Sequence, residues 1–301
     1  MIDRHAAPLE ASRVLILPPS QALAERVLFF VVRNPRGACD TFDLASAPTW
    51  QSRFPANMYS TLTFVHGGAL HDAESGAVLP SITVSGLMTR AVLCRYVDAP
   101  ETTVVVFRPG ALTDLMRLPA AEFSDAWINA DSLWRPSRLS ELHDRIGAQR
   151  SVARRIHALE SFLMQRFAAA RGPSRELARA LQSMVWELPH LSVNALAERF
   201  GSHPRALQRR FRDAFGASPR WIVRLARLQL ALWYLQRRRH RLVEVARLAG
   251  YADAAHLTRE VRELVGVTPS RLMAAMRDEA SSSWALTAPQ DTMKPRDDDS
   301  P

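Results

Sequence analysis

Apolar and polar positions follow a helical period through most of the second half of the chain, and one such pattern occurs twice. The sequences LQRRFRDAFGASP and LTREVRELVGVTP, fifty residues apart, share the spacing of two apolar residues, a glycine and a proline. These positions are Leu207, Phe211, Gly216 and Pro219 in the first copy and Leu257, Val261, Gly266 and Pro269 in the second. The period places the apolar residues on one helix face and the basic residues on another. Each copy is therefore predicted to be an amphipathic helix that ends at a glycine.

A shorter helical pattern precedes each copy. The first is SVNALAERFG, which Ser192 caps and which turns at Gly201, and the second is LVEVARLAGY, which turns at Gly250. Each contains an alanine, Ala197 or Ala246, where two helices are able to cross closely. Helix, glycine turn and helix are thus predicted twice, which is the helix-turn-helix motif.

Capping residues support these helix boundaries. Ser202, followed by Pro204, and Asp253 are predicted to cap the second helices of the two units. Ser218-Pro219 and Thr268-Pro269 place a hydroxyl directly before a proline at the first helical position. The stretch RWIVRLARLQLALWYLQRRR after Pro219 has almost no helix breaker, so it predicts a long helix that links the two units.

The first half of the chain has a different pattern. STLTFVHG, SITVSGLM, RAVLCRYV and TTVVVFRPG are short, β-branched segments between turn signals, and they predict antiparallel strands. The later segments ALTDLMRLPAAEFSDAW, RLSELHDRIGAQ and SVARRIHALESFLMQRFAA predict helices. The last of these carries a stripe of Val152, Ile156, Leu159 and Leu163 that packs either inside the chain or against a second copy. Internal packing is favoured, because two heptads are marginal for a coiled coil.

The charge is unevenly distributed. Residues 175–278 contain 19 basic and 9 acidic residues, residues 1–174 contain 18 and 16, and residues 279–301 contain 2 and 5. The excess positive charge therefore lies in the segment with the two helix-turn-helix units, which makes double-stranded DNA the leading partner. Residues 279–301 have no periodicity and are predicted to be a disordered tail.

Other features narrow the class of protein. Cys39 and Cys94 lack the spacing of a zinc site or a disulfide framework, and VLFFVV at residues 27–32 is too short to cross a bilayer. No leader pattern is present, so we expect a cytoplasmic protein without a membrane segment. No phosphate loop, G-x-S-x-G elbow or H-E-x-x-H motif occurs, and we expect no catalytic residues, metal or cofactor. His66 and His71 are expected in a solvated strand turn.

The run LAGYADAAHLTREVRELVGVTPSRL, together with the paired units, resembles the DNA-binding domain of the AraC/XylS transcriptional regulators over residues 175–278. The resemblance implies that bases are read by Arg205, Gln208 and Arg209 in the first unit. In the second unit the matching positions are Ala254, Ala255, Thr258 and Arg259. Two alanines offer methyl contacts to thymine but few hydrogen bonds, so base reading is expected mainly in the first unit. Phosphate contacts are expected from Ser202, Arg212, Arg262 and Thr268.

The same resemblance, with VVVFRPGALTDLM as its best match outside the DNA-binding domain, implies an N-terminal regulatory domain. We expect an α+β chain whose first domain is mostly antiparallel β, a cupin-like barrel or sheet with helices. An all-α domain of two helix-turn-helix units joined by a long linker helix follows. The boundaries are a sensing domain at 1–135, a helical connector with a dimerisation option at 136–172, the DNA-binding domain at 175–278 and the tail at 279–301.

An effector pocket in the first domain is expected to be lined by Trp50, Tyr59, Phe64, Cys94, Tyr96 and Phe107. Ordinary core packing explains the same residues. RNA polymerase, a small-molecule effector and a second copy in a homodimer remain open as partners. Two other classes also remain open, a cupin-like metal-dependent enzyme and a ligand-free DNA-binding scaffold protein.

Overall fold

The computed structural model describes residues 14–33, 50–134, 136–168, 174–183, 187–237 and 239–275. The predicted disordered tail and Cys39 lie outside these residues. The chain is α+β, as the sequence predicted, with β-sheets in its first half and helices in its second.

The larger sheet has six strands, all paired antiparallel, in the order β1-β2-β8-β4-β6-β9. The strands are β1 (Val14–Leu17), β2 (Val27–Arg33), β4 (Ser60–His66), β6 (Ile82–Ser85), β8 (Glu101–Phe107) and β9 (Trp127–Asn129). A second sheet has the order β3-β7-β5, formed by β3 (Trp50–Phe54), β7 (Val92–Val97) and β5 (Ala69–Asp72). The four strands named from the sequence are confirmed, and the described strands form two open sheets rather than a closed barrel.

Side chains alternate between the two faces of the six-stranded sheet, since successive strand residues point in opposite directions. One face is apolar and packs against helices α1 (Ala111–Met116), α2 (Pro136–Ala148) and α3 (Val152–Ala168). The stripe on α3 lies in this core, where Ile156, Leu159 and Leu163 are buried within the chain. The other face is turned towards the three-stranded sheet.

The helix predicted over residues 111–127 is interrupted. Helix α1 ends at Met116, and Arg117 adopts a left-handed backbone with φ 56°. Pro119 follows, which has no N–H to donate and disfavours helical backbone in the residue before it. The chain then forms a short 3-10 helix, Ala120–Phe123, and strand β9. The helical period of this segment therefore predicts the helix correctly only as far as Met116, and Pro119 prevents the helix from continuing.

The second half is helical. Helix α4 (Ser174–Ser183) leads to α5 (Val193–Arg199), α6 (Pro204–Phe215), α7 (Pro219–Arg237), α8 (Leu242–Leu248), α9 (Ala254–Val265) and α10 (Pro269–Ala275). These helices share one core, to which Leu207, Phe211, Leu257 and Val261 each contribute a side chain with 0% exposure. Among the described helices, none is both long enough and apolar enough to cross a bilayer.

Candidate nucleic-acid interface and effector pocket

The two helix-turn-helix units have matching geometry. Helix α5 turns through Gly201 into α6, and α8 turns through Gly250 into α9. Helices α6 and α9 end in equivalent glycines, Gly216 at φ 76° and Gly266 at φ 80°, whose amides donate to the carbonyls of Arg212 and Arg262. Left-handed backbone of this kind favours glycine, which has no Cβ to clash.

The helix starts are partly as predicted. The Asp253 carboxylate accepts a hydrogen bond of 2.6 Å from the amide of His256, and this cap is confirmed. The cap of α6 is His203 rather than Ser202, and its Nδ1 accepts from the amide of Arg205 at 3.3 Å. Because Pro204 occupies the first helical position, the residue immediately before it must be the cap. The ring of His256 packs edge-on against Tyr251, at 5.2 Å between centroids, which gives it a structural position at the start of α9.

The outward faces of α6 and α9 are basic. The exposed residues of α6 are Arg205, Gln208, Arg209, Arg210, Arg212 and Asp213, and those of α9 are Ala255, Arg259, Arg262 and Glu263, so that arginines outnumber carboxylates on both helices. In the part of the chain that the structure describes, no carboxylate forms an ion pair with any of these arginines. Both helices therefore present uncompensated guanidinium groups, whose flat forks of donors match phosphate oxygens and guanine edges.

Ion pairs with the linking helix keep the outward face of α9 basic. Its two acidic residues, Glu260 and Glu263, both pair with Arg224 of α7, at 2.8 Å and 2.6 Å. These carboxylates raise the pKa of the Arg224 guanidinium. The arginine also lies over the ring of Trp221, at 4.6 Å from its centroid. Helix α7 thus fixes the orientation of α9 and holds its negative charges away from its exposed arginines.

The remaining predicted contacts on the second unit are less exposed. Thr258 is half-buried, and its hydroxyl donates to the carbonyl of Ala254 at 2.7 Å. Ser202 and Thr268 are also half-buried, and the Thr268 hydroxyl accepts from the amide of Arg271 at 3.4 Å at the start of α10. Because the hydroxyl proton of Thr258 is already used, the threonine offers a base mainly its methyl group and an acceptor oxygen.

The ends of both α6 and α9 contact the first domain. The Thr113 hydroxyl donates to the carbonyl of Ala214 at 3.0 Å, and the amide of Ala56 donates to the carbonyl of Leu264 at 2.8 Å. Ala214 and Leu264 are equivalent residues of the repeat, in the last turn of each helix. Carbonyls there have no partner within their own helix, so the first domain supplies the missing donors. The sequence alone does not predict these hydrogen bonds, because each joins two segments that lie about a hundred residues or more apart.

A cavity lies between the two sheets of the first domain. The space free of protein atoms measures about 860 Å³, including solvent at its open mouth. Of the predicted pocket residues, Tyr59, Cys94 and Tyr96 line it. Burial raises the pKa of both Tyr59 and the Cys94 thiol to about 12. Both groups are therefore neutral at physiological pH.

The other predicted pocket residues do not line this cavity. Phe64 and Phe107 point to the opposite face of the six-stranded sheet and pack under the helices, because Thr61 and Thr63 of β4 already take the cavity side. The backbone of Trp50 pairs with Tyr96 at the start of β3, and its side chain lies outside the described part of the structure.

The histidines expected in a solvated turn are placed differently. His66 ends β4, is buried, and stacks on His143 of α2 with ring centroids 4.1 Å apart. His71 lies in β5, where its backbone pairs with Arg95. Among the described residues there is no group of three histidine, cysteine or carboxylate side chains placed to hold a metal ion.

Comparison with known proteins identifies the second domain. Residues 196–275 match a family model described as a helix-turn-helix domain. No curated protein matches the chain. Among solved structures, ToxT from Vibrio cholerae O395 matches with 10% identity over 75% of this chain and 96% of that one, at a TM-score of 0.40. Unsaturated fatty acid bound wild-type ToxT from Vibrio cholerae strain SCE256 matches with 9% identity, 75% and 94% coverage and a TM-score of 0.42. The C-terminal part of the chain is a helix-turn-helix domain of the AraC type, as the sequence resemblance predicted.

Proposed function

We propose, from the AraC-type domain at its C-terminal end, that this protein is a sequence-specific DNA-binding transcription regulator. One observation carries the proposal: α6 and α9 are equivalent helices with buried apolar faces and exposed arginines that lack ion-pair partners among the described residues. Helix α7 joins the two units. The two helices enter successive major grooves on one side of the duplex, about 34 Å apart.

The two units divide the work of recognition. Arg205, Gln208 and Arg209 read base edges from α6, since guanidinium and amide groups form paired hydrogen bonds with guanine and adenine. On α9, Arg259 adds a base contact and Thr258 a methyl contact. Phosphate contacts from Ser202, Arg212, Arg262 and Thr268 anchor the domain without reading sequence.

The first domain modulates this binding by holding both recognition helices. It donates hydrogen bonds to the last turns of α6 and α9, and Tyr59 Oη donates to Gln229 Oε1 of α7 at 3.4 Å. The segment that makes two of these contacts also lines the cavity, since Phe54, Asn57 and Tyr59 form part of its wall. A small-molecule effector in the cavity therefore touches the same segment that positions α9. Contact with RNA polymerase and homodimer formation belong to the same proposal as partners of a promoter-bound regulator.

The test is selection of bound sequences from a random DNA pool with the full-length protein at physiological salt. We expect an enriched site of two blocks about one helical turn apart. Arg209→Ala should cost about 1–3 kcal/mol on that site and relax its specificity, while Arg212→Ala should weaken specific and random DNA alike and lower the salt slope by about one. Arg145→Ala, an exposed arginine of α2, is the matched control and should leave binding unchanged.

Equal losses of Arg209→Ala on the selected site and on random DNA would contradict the base-reading role. Failure to enrich any sequence, with binding that only fades as salt rises, would contradict sequence-specific regulation and favour a nonspecific DNA-binding protein.

A further inference from the structure

Arg33 is a buried cation in the wall of the cavity. It ends β2 with 4% exposure. Its Nη1 donates to Ser52 Oγ at 3.0 Å, and its guanidinium carbon lies 4.9 Å from the centroid of the Tyr96 ring. No carboxylate among the described residues forms an ion pair with it. The positive charge therefore meets a hydroxyl and an aromatic face, neither of which neutralises it.

The free energy of this arrangement favours an incoming anion. Removing a charge from water raises the free energy unless the charge is paired. The planar guanidinium also has five N–H donors in a fixed geometry, which a flat acceptor group can match. The nearby hydroxyls do not supply the missing charge, and some are already engaged. Thr61 and Ser85 hydrogen bond to each other at 2.8 Å, and Thr83 donates to the carbonyl of Pro80 at 2.7 Å.

The rest of the lining sets the character of the ligand. Arg33 is the one charged residue among the described residues that line the cavity. The facing walls are apolar or aromatic and include Phe54, Leu70, Leu79, Met88 and Trp127. A single cation balances a single negative charge, so a phosphate dianion would remain undercompensated in this surrounding. A flat carboxylate fits the paired donors of one guanidinium.

We propose that the cavity binds a small organic carboxylate, with its head group on Arg33 and an apolar body between the two sheets. This inference rests on the proposed function only in calling the ligand an effector. The ligand class itself follows from the buried cation and the apolar walls. Arg33 is the residue that selects the charge of the ligand, and the sheets select its shape.

The experiment compares probes that share an apolar skeleton and differ in the head group, which is a carboxylate, a neutral alcohol or an ammonium group. Phenylbutyrate, phenylbutanol and phenylbutylamine share one skeleton, and octanoate, octanol and octylamine share another. Binding to the full-length protein is measured by calorimetry and by the shift in melting temperature. We expect at least one carboxylate to bind about tenfold to a hundredfold more tightly than its alcohol, and the amines not to bind, because a charged hydrogen bond is the difference between them.

Variants assign the preference to Arg33. Arg33→Met should abolish the tighter binding of the carboxylate over the alcohol. Arg33→Lys should keep part of this preference, because lysine retains the positive charge but not the paired donors of the guanidinium. Arg145→Met should bind the probes as the parent protein does. Circular dichroism checks the fold of each variant, and the parent's preference among the six probes tests the proposal without any variant. Equal binding of acid and alcohol, a preference that survives Arg33→Met, or no binding of either carboxylate at millimolar concentration would overturn it.

These outcomes are separate from those of the proposed function. A carboxylate preference without selective DNA binding would retain the ligand site and refute the regulator. Selective DNA binding by a protein that takes up neither carboxylate would retain the regulator and refute the ligand class.

Discussion

The contact between α6 and the first domain can be tested at Gly216. This residue has φ 76°, and a Cβ on it would overlap Ser124 Oγ and lie 3.0 Å from the carbonyl oxygen of Ala120. Gly201 also has a left-handed backbone, at φ 52°, but a Cβ there would meet no heavy atom within 4 Å. The two glycines therefore share the backbone penalty and differ in the steric one.

The magnitudes follow from this difference. Gly201→Ala should cost about 1–2 kcal/mol of unfolding free energy, the penalty of a left-handed backbone for a residue with a Cβ. Gly216→Ala carries the same penalty and adds about 1–3 kcal/mol for overpacking, because the Ser124 hydroxyl must move away from its hydrogen bond with the Ala120 carbonyl, which is itself in tight contact with the new Cβ. Gly216→Ala should therefore be the more damaging substitution by about 1–3 kcal/mol.

Urea denaturation of the full-length protein, followed by circular dichroism, measures both variants. Hydrogen exchange adds a local readout, because Gly216→Ala should raise exchange in the segment 120–124 and Gly201→Ala should not. If the two variants lose the same free energy and leave that segment equally protected, the first domain does not pack against the end of α6, and its proposed hold on the recognition helices is refuted.

Two further predictions concern charges and thiols. Arg224→Met removes the ion-pair partner of Glu260, whose side chain is 14% exposed, and should lower the free energy of unfolding measured in urea by about 1–3 kcal/mol. Arg220→Met, at an exposed position of the same helix, should have little effect. Equal effects of the two substitutions would mean that the ion pairs with α9 add no stability. Cys94 is 1% exposed, and burial raises the pKa of its thiol to about 12. Iodoacetamide at pH 8 should therefore alkylate Cys94 far more slowly in the native protein than in the urea-unfolded protein, which peptide mass spectrometry measures. Rapid alkylation of the native protein would show that the cavity wall opens.

The sequence was sufficient to predict the helix-turn-helix half, because the patterns that specify it are local. Helices α6 and α9 are each specified by the spacing of their apolar residues, by a glycine at the end and by a capping side chain directly before the first helical residue. The miss at the start of α6 was also local, since Pro204 required His203 rather than Ser202 as the cap. Strands β4, β6, β7 and β8 were equally predictable from β-branched runs.

The lining of the cavity was only partly predictable, because the cavity is formed between two sheets. Residue type suggested Phe64 and Phe107 as pocket residues, but both side chains point to the face of the sheet that packs against the helices. Alternate residues of a strand face opposite sides of the sheet, and which side faces the cavity is known only once the strand register is known. Arg33 carried no signal in the sequence, because one arginine at a strand end looks like any solvated charge. Its side chain contacts Ser52 and Tyr96, which come from the other sheet.

The sequence by itself determined the two helix-turn-helix units, their basic faces and the change from strands to helices, because these depend on contacts within a few turns of chain. Tertiary structure alone decided which face of each strand meets the cavity, which arginine is buried without a described counter-ion, and how the first domain reaches the ends of α6 and α9. Those properties arise from residues far apart in sequence, such as Ala56 with Leu264 and Thr113 with Ala214. No local pattern specifies such a hydrogen bond, since it stabilises the protein only after both segments have folded and lie next to each other.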